Sequence, residues 1–191
     1  MAYQAIFKRY EIKYMLTRQQ KALLLKVMAP HMALDQFGRT TICNLYFDTD
    51  SYRLIRRSIE KPAYKEKLRV RSYGPFSQAD VVYVEIKKKF KGIVYKRRIS
   101  LPEREAVKWL SGKEDLKNPS QISEEIDYVR SYYEGLKPVV FLSYEREAFY
   151  SKDGSDFRVT FDENILSRQT NLSLREGAWG TPLLPEGMVL M

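Results

Sequence analysis

One cysteine and one histidine are all that the 191 residues supply of the two most versatile reactive side chains. With Cys43 alone, no intrachain disulfide can form, and Cys/His zinc sites are excluded. His31 follows Pro30 at the expected end of a helix and leaves Ser-His or Cys-His catalysis without a natural pair. No apolar run reaches the ~18 uninterrupted residues that mark a membrane-spanning helix, and Met1 to Lys13 carries no apolar core of a signal peptide. A soluble, cytoplasmic protein with its cysteine buried in an apolar strand is the expectation. Any chemistry must then run on carboxylates, basic groups or a bound metal.

Positive charge is abundant. Lys and Arg total 33 against 24 acidic residues, a formal net charge of +9 and a pI near 9.5. A polyanionic partner follows naturally, whether nucleic acid, nucleotide, polyphosphate or an acidic membrane, although a solvated basic surface explains the same balance. Hydrophobic residues make up 44% of the chain, enough for a core, and the length suits one domain spanning residues 1–191.

The dominant pattern is alternation of period two, which a strand converts into two chemically different faces. Arg9, Glu11 and Lys13 oppose Tyr10, Ile12 and Tyr14. From Tyr64 to Tyr73, Lys65, Lys67, Arg69 and Arg71 oppose Leu68 and Val70; then Tyr83, Glu85, Lys87 and Lys89 oppose Val82, Val84 and Ile86. A turn at Lys91-Gly92 predicts a hairpin whose return strand sets Lys96 and Arg98 against Tyr95, Arg97 and Ile99. Further strands are expected at Thr40–Asp48, Val139–Tyr150 and Phe157–Asp162, with weaker candidates at Ile165–Asn171 and Met188–Met191.

Three helices are expected between them. Thr17 and Gln20 form a capping box for a helix with Leu23, Leu24, Val27 and Met28 on its apolar side. Pro102 opens a second, which carries Val107, Trp109 and Leu110 and stops at Gly112. Ile122, Ile126, Val129 and Tyr133 mark the third, ended by Gly135. These helices should cover the apolar side of a mainly antiparallel α+β fold.

Crowded cations on one face call for an anion, because their mutual repulsion is relieved only by neutralisation. Phosphate fits, since Arg grips its oxygens bidentately and Lys adds compact charge. Glu11, Glu85 and Asp162 share those faces and offer hard oxygen ligands suited to Mg²⁺ or Mn²⁺. Cross-strand ion pairs explain Glu11 and Glu85 equally well, and an open sheet with one solvated charged face satisfies the whole pattern. Tyr64, Tyr73 and Tyr83 could stack nucleic-acid bases, but Glu85 among them and the lack of an RNP-type motif argue against nucleic acid.

The ordered segments Arg9-Tyr-Glu-Ile-Lys13, Leu45-Tyr-Phe-Asp48-Thr, Leu68-Arg-Val-Arg71-Ser-Tyr-Gly74, Val84-Glu-Ile-Lys87, Lys96-Arg-Arg98, Pro138-Val-Val140 and Tyr144-Glu-Arg146 resemble the VTC domain. That is the catalytic domain of vacuolar transporter chaperone polyphosphate polymerases, within the CYTH or triphosphate tunnel metalloenzyme superfamily. The resemblance implies a tunnel-like antiparallel barrel of about eight strands with helices outside. It implies substrate binding by Lys13, Arg69, Arg71, Lys87, Lys96, Arg98, Arg146 and Arg158, with Arg69, Arg71, Lys87 and Lys96 as the catalytic groups. Transfer of the ATP γ-phosphoryl group to polyphosphate with Mn²⁺ or Mg²⁺ is the implied reaction, carried by positioning and charge neutralisation. A triphosphatase, or a non-catalytic polyphosphate or nucleotide binder, fits the same fold.

Two departures bear on that expectation. The superfamily's Glu-x-Glu-x-Lys strand stands here as Arg9-x-Glu11-x-Lys13, which favours the polymerase branch. The family pattern also continues beyond Met191 with a Glu-x-Lys strand and a helix. The sequence is therefore expected to be a truncated piece, with a metal-binding Glu lying further on and the tunnel wall completed by a homo-oligomer or neighbouring chain. Replacing Arg69 or Arg71 by Ala is expected to weaken triphosphate binding while scarcely changing ligand-free stability.

Overall fold

Alternation is realised almost residue for residue. The computed structural model describes the backbone of residues 6–74 and 81–191, and the side chains of 10–74 and 81–191. The strands run β1 Ile6–Arg9, β2 Met15–Thr17, β3 Met32–Asp48, β4 Tyr64–Tyr73, β5 Val81–Phe90, β6 Ile93–Pro102, β7 Lys137–Ser151, β8 Arg158–Arg168, β9 Thr181–Pro182 and β10 Met188–Leu190. The helices are α1 Arg18–Met28, α2 Arg53–Ile59, α3 Glu103–Leu110 and α4 Gln121–Tyr132. All described strands join one antiparallel sheet, ordered β1-β6-β5-β4-β3-β7-β8-β10-β2, with β9 beside β8. The β5–β6 hairpin turns at Lys91-Gly92, both at positive φ, as a two-residue primed turn demands.

Its two outermost strands, β1 and β2, are separated in the chain only by residues 10–14. Laid flat, eight inter-strand steps would put these edges about 38 Å apart. The connecting chain from Arg9 to Met15 spans at most about 21 Å. The sheet must therefore curl until its edges approach, leaving a seam bridged by 10–14. A tunnel-like antiparallel barrel was the expectation; the sheet is antiparallel and curled as that requires, and its edges are joined at the seam by residues 10–14, where Tyr14 and Met191 exchange backbone N–H···O hydrogen bonds at 2.9 Å. The expected strand through Tyr10 and Ile12 is thus interrupted, and both side chains are exposed. The Arg9 side chain lies outside the described residues.

The apolar faces form the core. Leu45 and Phe47 of β3, Leu68 and Val70 of β4, Val82, Val84 and Ile86 of β5 and Phe141 of β7 pack beneath Trp109, Leu110, Ile126, Val129 and Tyr133 of the α3–α4 region. Trp109 Nε1 donates to Asp127 of α4 at 3.0 Å, tying the two helices together. On β6, outward Arg97 pairs with Glu125 of α4. The helices cover the outer side of the curl, so the charged faces line its inside.

α1 begins at the expected capping box of Thr17 and Gln20. Its buried side differs from expectation. Lys21 is buried, paired to Glu147 and Glu163 and lying over Phe161, whereas Leu23 and Val27 are 62% and 69% exposed. Two carboxylates from β7 and β8 orient this helix, overriding its apolar stripe. α2 was not foreseen at all, and neither was the reciprocal capping of α4 by Ser120 and Ser123. No helix among the described residues is long and apolar enough to cross a membrane.

Candidate functional site: a cation-lined channel

Six neighbouring strands, β6, β5, β4, β3, β7 and β8, contribute inward side chains to one connected polar network. At its centre is Glu85 of β5, fully buried. Its Oε2 accepts from Arg69 Nε at 2.8 Å and lies 2.6 Å from Arg69 Nη2, while Lys96 Nζ and Arg98 Nη1 approach Oε1 at 3.7 and 3.9 Å. Arg69 also donates to the Tyr46 hydroxyl at 2.9 Å. Arg71, 5% exposed, donates to Asn44 Oδ1 and to the Tyr144 hydroxyl, each at 2.9 Å. Arg146 lies over the Tyr144 ring and binds both Asp162 oxygens at 2.6 and 2.7 Å. Lys87 donates to Glu11 of the seam at 2.6 Å.

The register explains the convergence. Arg69 stands opposite Glu85 and Tyr46, Glu85 opposite Arg98, Lys87 opposite Lys96, and Arg146 opposite Asp162. A one-residue slip would send every one of these groups into the apolar core.

Burial would raise the Glu85 carboxyl, but Arg69, with Arg71 and Lys96, outweighs burial and brings it down to about 2. Burial, joined by Arg71, Arg69 and Arg98, overcomes the pull of Glu85 and lowers the Lys96 ammonium to about 7. Lys87 is lowered by burial against the opposing effect of Glu11, and Lys67 by burial and the neighbouring lysines Lys87, Lys13 and Lys65. The interior therefore holds cations under mutual repulsion, the condition that favours an incoming anion.

Of the sequence-derived substrate ligands, Arg69, Arg71, Lys87, Lys96, Arg98 and Arg146 are brought together. Lys13 is exposed on the seam, within electrostatic reach of Glu11 and Lys67. Arg158 is exposed at the start of β8, 3.5 Å from Asp35 and about 13 Å along the strand from Asp162. Arg158 thus stands apart from the central network.

Glu11, Glu85 and Asp162 occupy three separate ion pairs, with Lys87, Arg69 and Arg146. No group of three His, Cys, Asp or Glu among the described residues could hold a metal ion. The described residues alone thus do not build a protein-held Mg²⁺ or Mn²⁺ centre, since the cations around each of these carboxylates oppose a further positive ion.

Asn44, Tyr46 and Tyr144 were missed as site residues. Their signal was parity: Asn44 and Tyr46 alternate with Cys43, Leu45 and Phe47, but Ile42 on the same side obscured a polar face. The tyrosines considered as stacking platforms do not form one. Tyr64 turns to the opposite face and donates to Glu66, while Tyr73 and Tyr83 pack edge to face under Arg71 and Arg98.

Fold and site together define a class: an antiparallel α+β protein whose curled sheet encloses a cation-lined interior. The family model of the VTC domain matches residues 8–190, and the chain belongs to that family. No curated protein matches it by sequence. Among solved structures it is similar to a putative adenylate cyclase from Bacillus halodurans, with 15% identity, TM-score 0.46 and coverage of 82% of this chain and 81% of that one. A second putative adenylate cyclase, from Vibrio parahaemolyticus, shares 14% identity at TM-score 0.43, covering 83% and 68%. A Pyrococcus horikoshii OT3 protein shares 10% identity at TM-score 0.39, covering 87% and 82%.

Proposed function

We propose that the channel binds a linear phosphate chain and that the domain transfers the γ-phosphoryl group of ATP to growing polyphosphate. The observation that carries this reading is the convergence of Arg69, Arg71, Lys96 and Arg98 around the buried carboxylate of Glu85, with Arg146 and Lys87 flanking them. A triphosphate would align along these cations, and the same groups would neutralise charge on the transferring phosphoryl as it leaves ADP. Mg²⁺ or Mn²⁺ would enter with ATP as part of the substrate, because the described residues build no resident metal site.

A phosphate acceptor suits this interior better than water. A terminal phosphate is already an anionic nucleophile and needs no protein base, whereas water needs one, a role that the Glu85 carboxyl near 2 fits poorly and that falls to Lys96, near 7. The triphosphatase reading is accordingly second. A non-catalytic polyphosphate or nucleotide binder is favoured by one observation, the lack of a three-carboxylate cluster among the described residues. Incubation with ATP and Mn²⁺ distinguishes the three: long-chain polyphosphate is expected, orthophosphate alone would indicate a hydrolase, and tight binding without turnover would indicate a binder.

A further inference from the structure

Glu85 has a feature that neither an ordinary ion pair nor a metal ligand explains. Its side chain is fully buried, and Oε2 is fixed by Arg69. Oε1, equally enclosed, has no hydrogen-bond partner. Lys96 and Arg98 stand off it at 3.7 and 3.9 Å, distances of charge pairing beyond hydrogen bonding. A buried carboxylate oxygen left this way is unfavourable unless its charge is needed. Here the charge answers Arg69 on β4 and Lys96 and Arg98 on β6, the two strands that flank β5.

We propose that Glu85 is a positioning residue that acts as the channel's resident counter-ion, holding the cation ring together when empty and competing with the phosphate chain for Lys96 and Arg98 when substrate arrives. The inference rests on the phosphate-binding reading and deepens it. One oxygen keeps Arg69 extended beside Tyr46, while the other occupies the electrostatic place of a phosphate oxygen. Substrate relieves the repulsion that Glu85 only partly offsets. The anion thus stabilises the empty channel and weakens binding in proportion, since a ligand must displace interactions already made.

This role and metal ligation predict opposite signs. Glu85→Gln keeps the shape and removes the charge. Tripolyphosphate binding, followed by calorimetry on the full chain, is expected to tighten about threefold or more in the variant, equally in EDTA and in Mg²⁺. The ligand-free variant should meanwhile melt at least about 4 °C lower. Unchanged or weaker affinity would overturn the proposal, and a loss confined to Mg²⁺ buffer would identify Glu85 as a metal ligand instead. Should the variant fail to fold alone, refolding in tripolyphosphate should recover it, because an external anion takes over the missing charge; no recovery would overturn the proposal. Absence of tripolyphosphate binding by the unsubstituted chain would remove the phosphate reading itself, and this inference with it.

Discussion

Arg69 shows how one side chain can both face the interior and hold it together. Its guanidinium faces the channel, yet it is also the hydrogen-bonded partner of a carboxylate with no exposure. Removing one member of a buried ion pair costs about 3 to 5 kcal/mol, because the other charge is left uncompensated. Arg69→Ala should therefore lower ligand-free stability by about that amount in denaturant titrations, besides weakening tripolyphosphate binding. This corrects the expectation from sequence that stability would scarcely change. Alternation revealed which face Arg69 occupies, but not the single buried acid to which it is bound. Lys96 gives a pH signature. The unfolded chain keeps its ammonium proton up to about 10.5 and the folded, ligand-free protein only to about 7, so its contribution to stability rises with pH between those values. A phosphate chain favours the ammonium and reverses that preference. Binding tripolyphosphate at about pH 8 should then take up a proton, seen by calorimetry in buffers of different ionisation enthalpy, and the uptake should vanish in Lys96→Arg.

Among the elements, those with strong periodicity were readable and those held by tertiary polar contacts were not. β4, β5 and β6 place Arg69, Arg71, Glu85, Lys87, Lys96 and Arg98 on one parity, so the charged face could be assigned from sequence alone even though Glu66, Lys88 and Arg97 break the other. α2 has seven residues and little periodicity, and its start is set by a side chain outside it. Asp48, buried at the end of β3, accepts from Leu54 N at 2.8 Å and Ile55 N at 2.9 Å, and also from Thr49 N at 2.8 Å. The Asp48 of the Leu-Tyr-Phe-Asp segment is thus a helix cap pinned between strand and helix. Asp48→Ala should cost about 1 to 2 kcal/mol in thermal or denaturant unfolding, while tripolyphosphate affinity stays near that of the unsubstituted chain. α1 failed differently: Leu23 and Val27 formed a credible apolar stripe, but burial of Lys21 between Glu147 and Glu163 turned them outward. Such a pair of carboxylates, more than a hundred residues away in the chain, leaves no local trace.

At the scale of the whole molecule, curvature converts a charged sheet face into a site. On a flat sheet the same cations would be spread across strands and largely screened by water and salt. The curl is imposed by the five-residue bridge between β1 and β2, and the Lys87–Glu11 pair fastens that bridge to β5. The sequence carried the strand faces but not this closure, because the two edges become neighbours only when all the intervening strands are in place. Net charge of +9 adds long-range attraction for an anion, and convergence concentrates positive charge in the interior. The most direct test is a crystal structure with tripolyphosphate. Phosphate oxygens are expected within hydrogen-bonding distance of Arg69, Arg71 and Lys96 inside the curl, with Arg146 or Lys87 on a neighbouring phosphate. Tripolyphosphate bound only on the outer surface, with the Arg69–Glu85 network untouched and the interior empty, would contradict the phosphate reading.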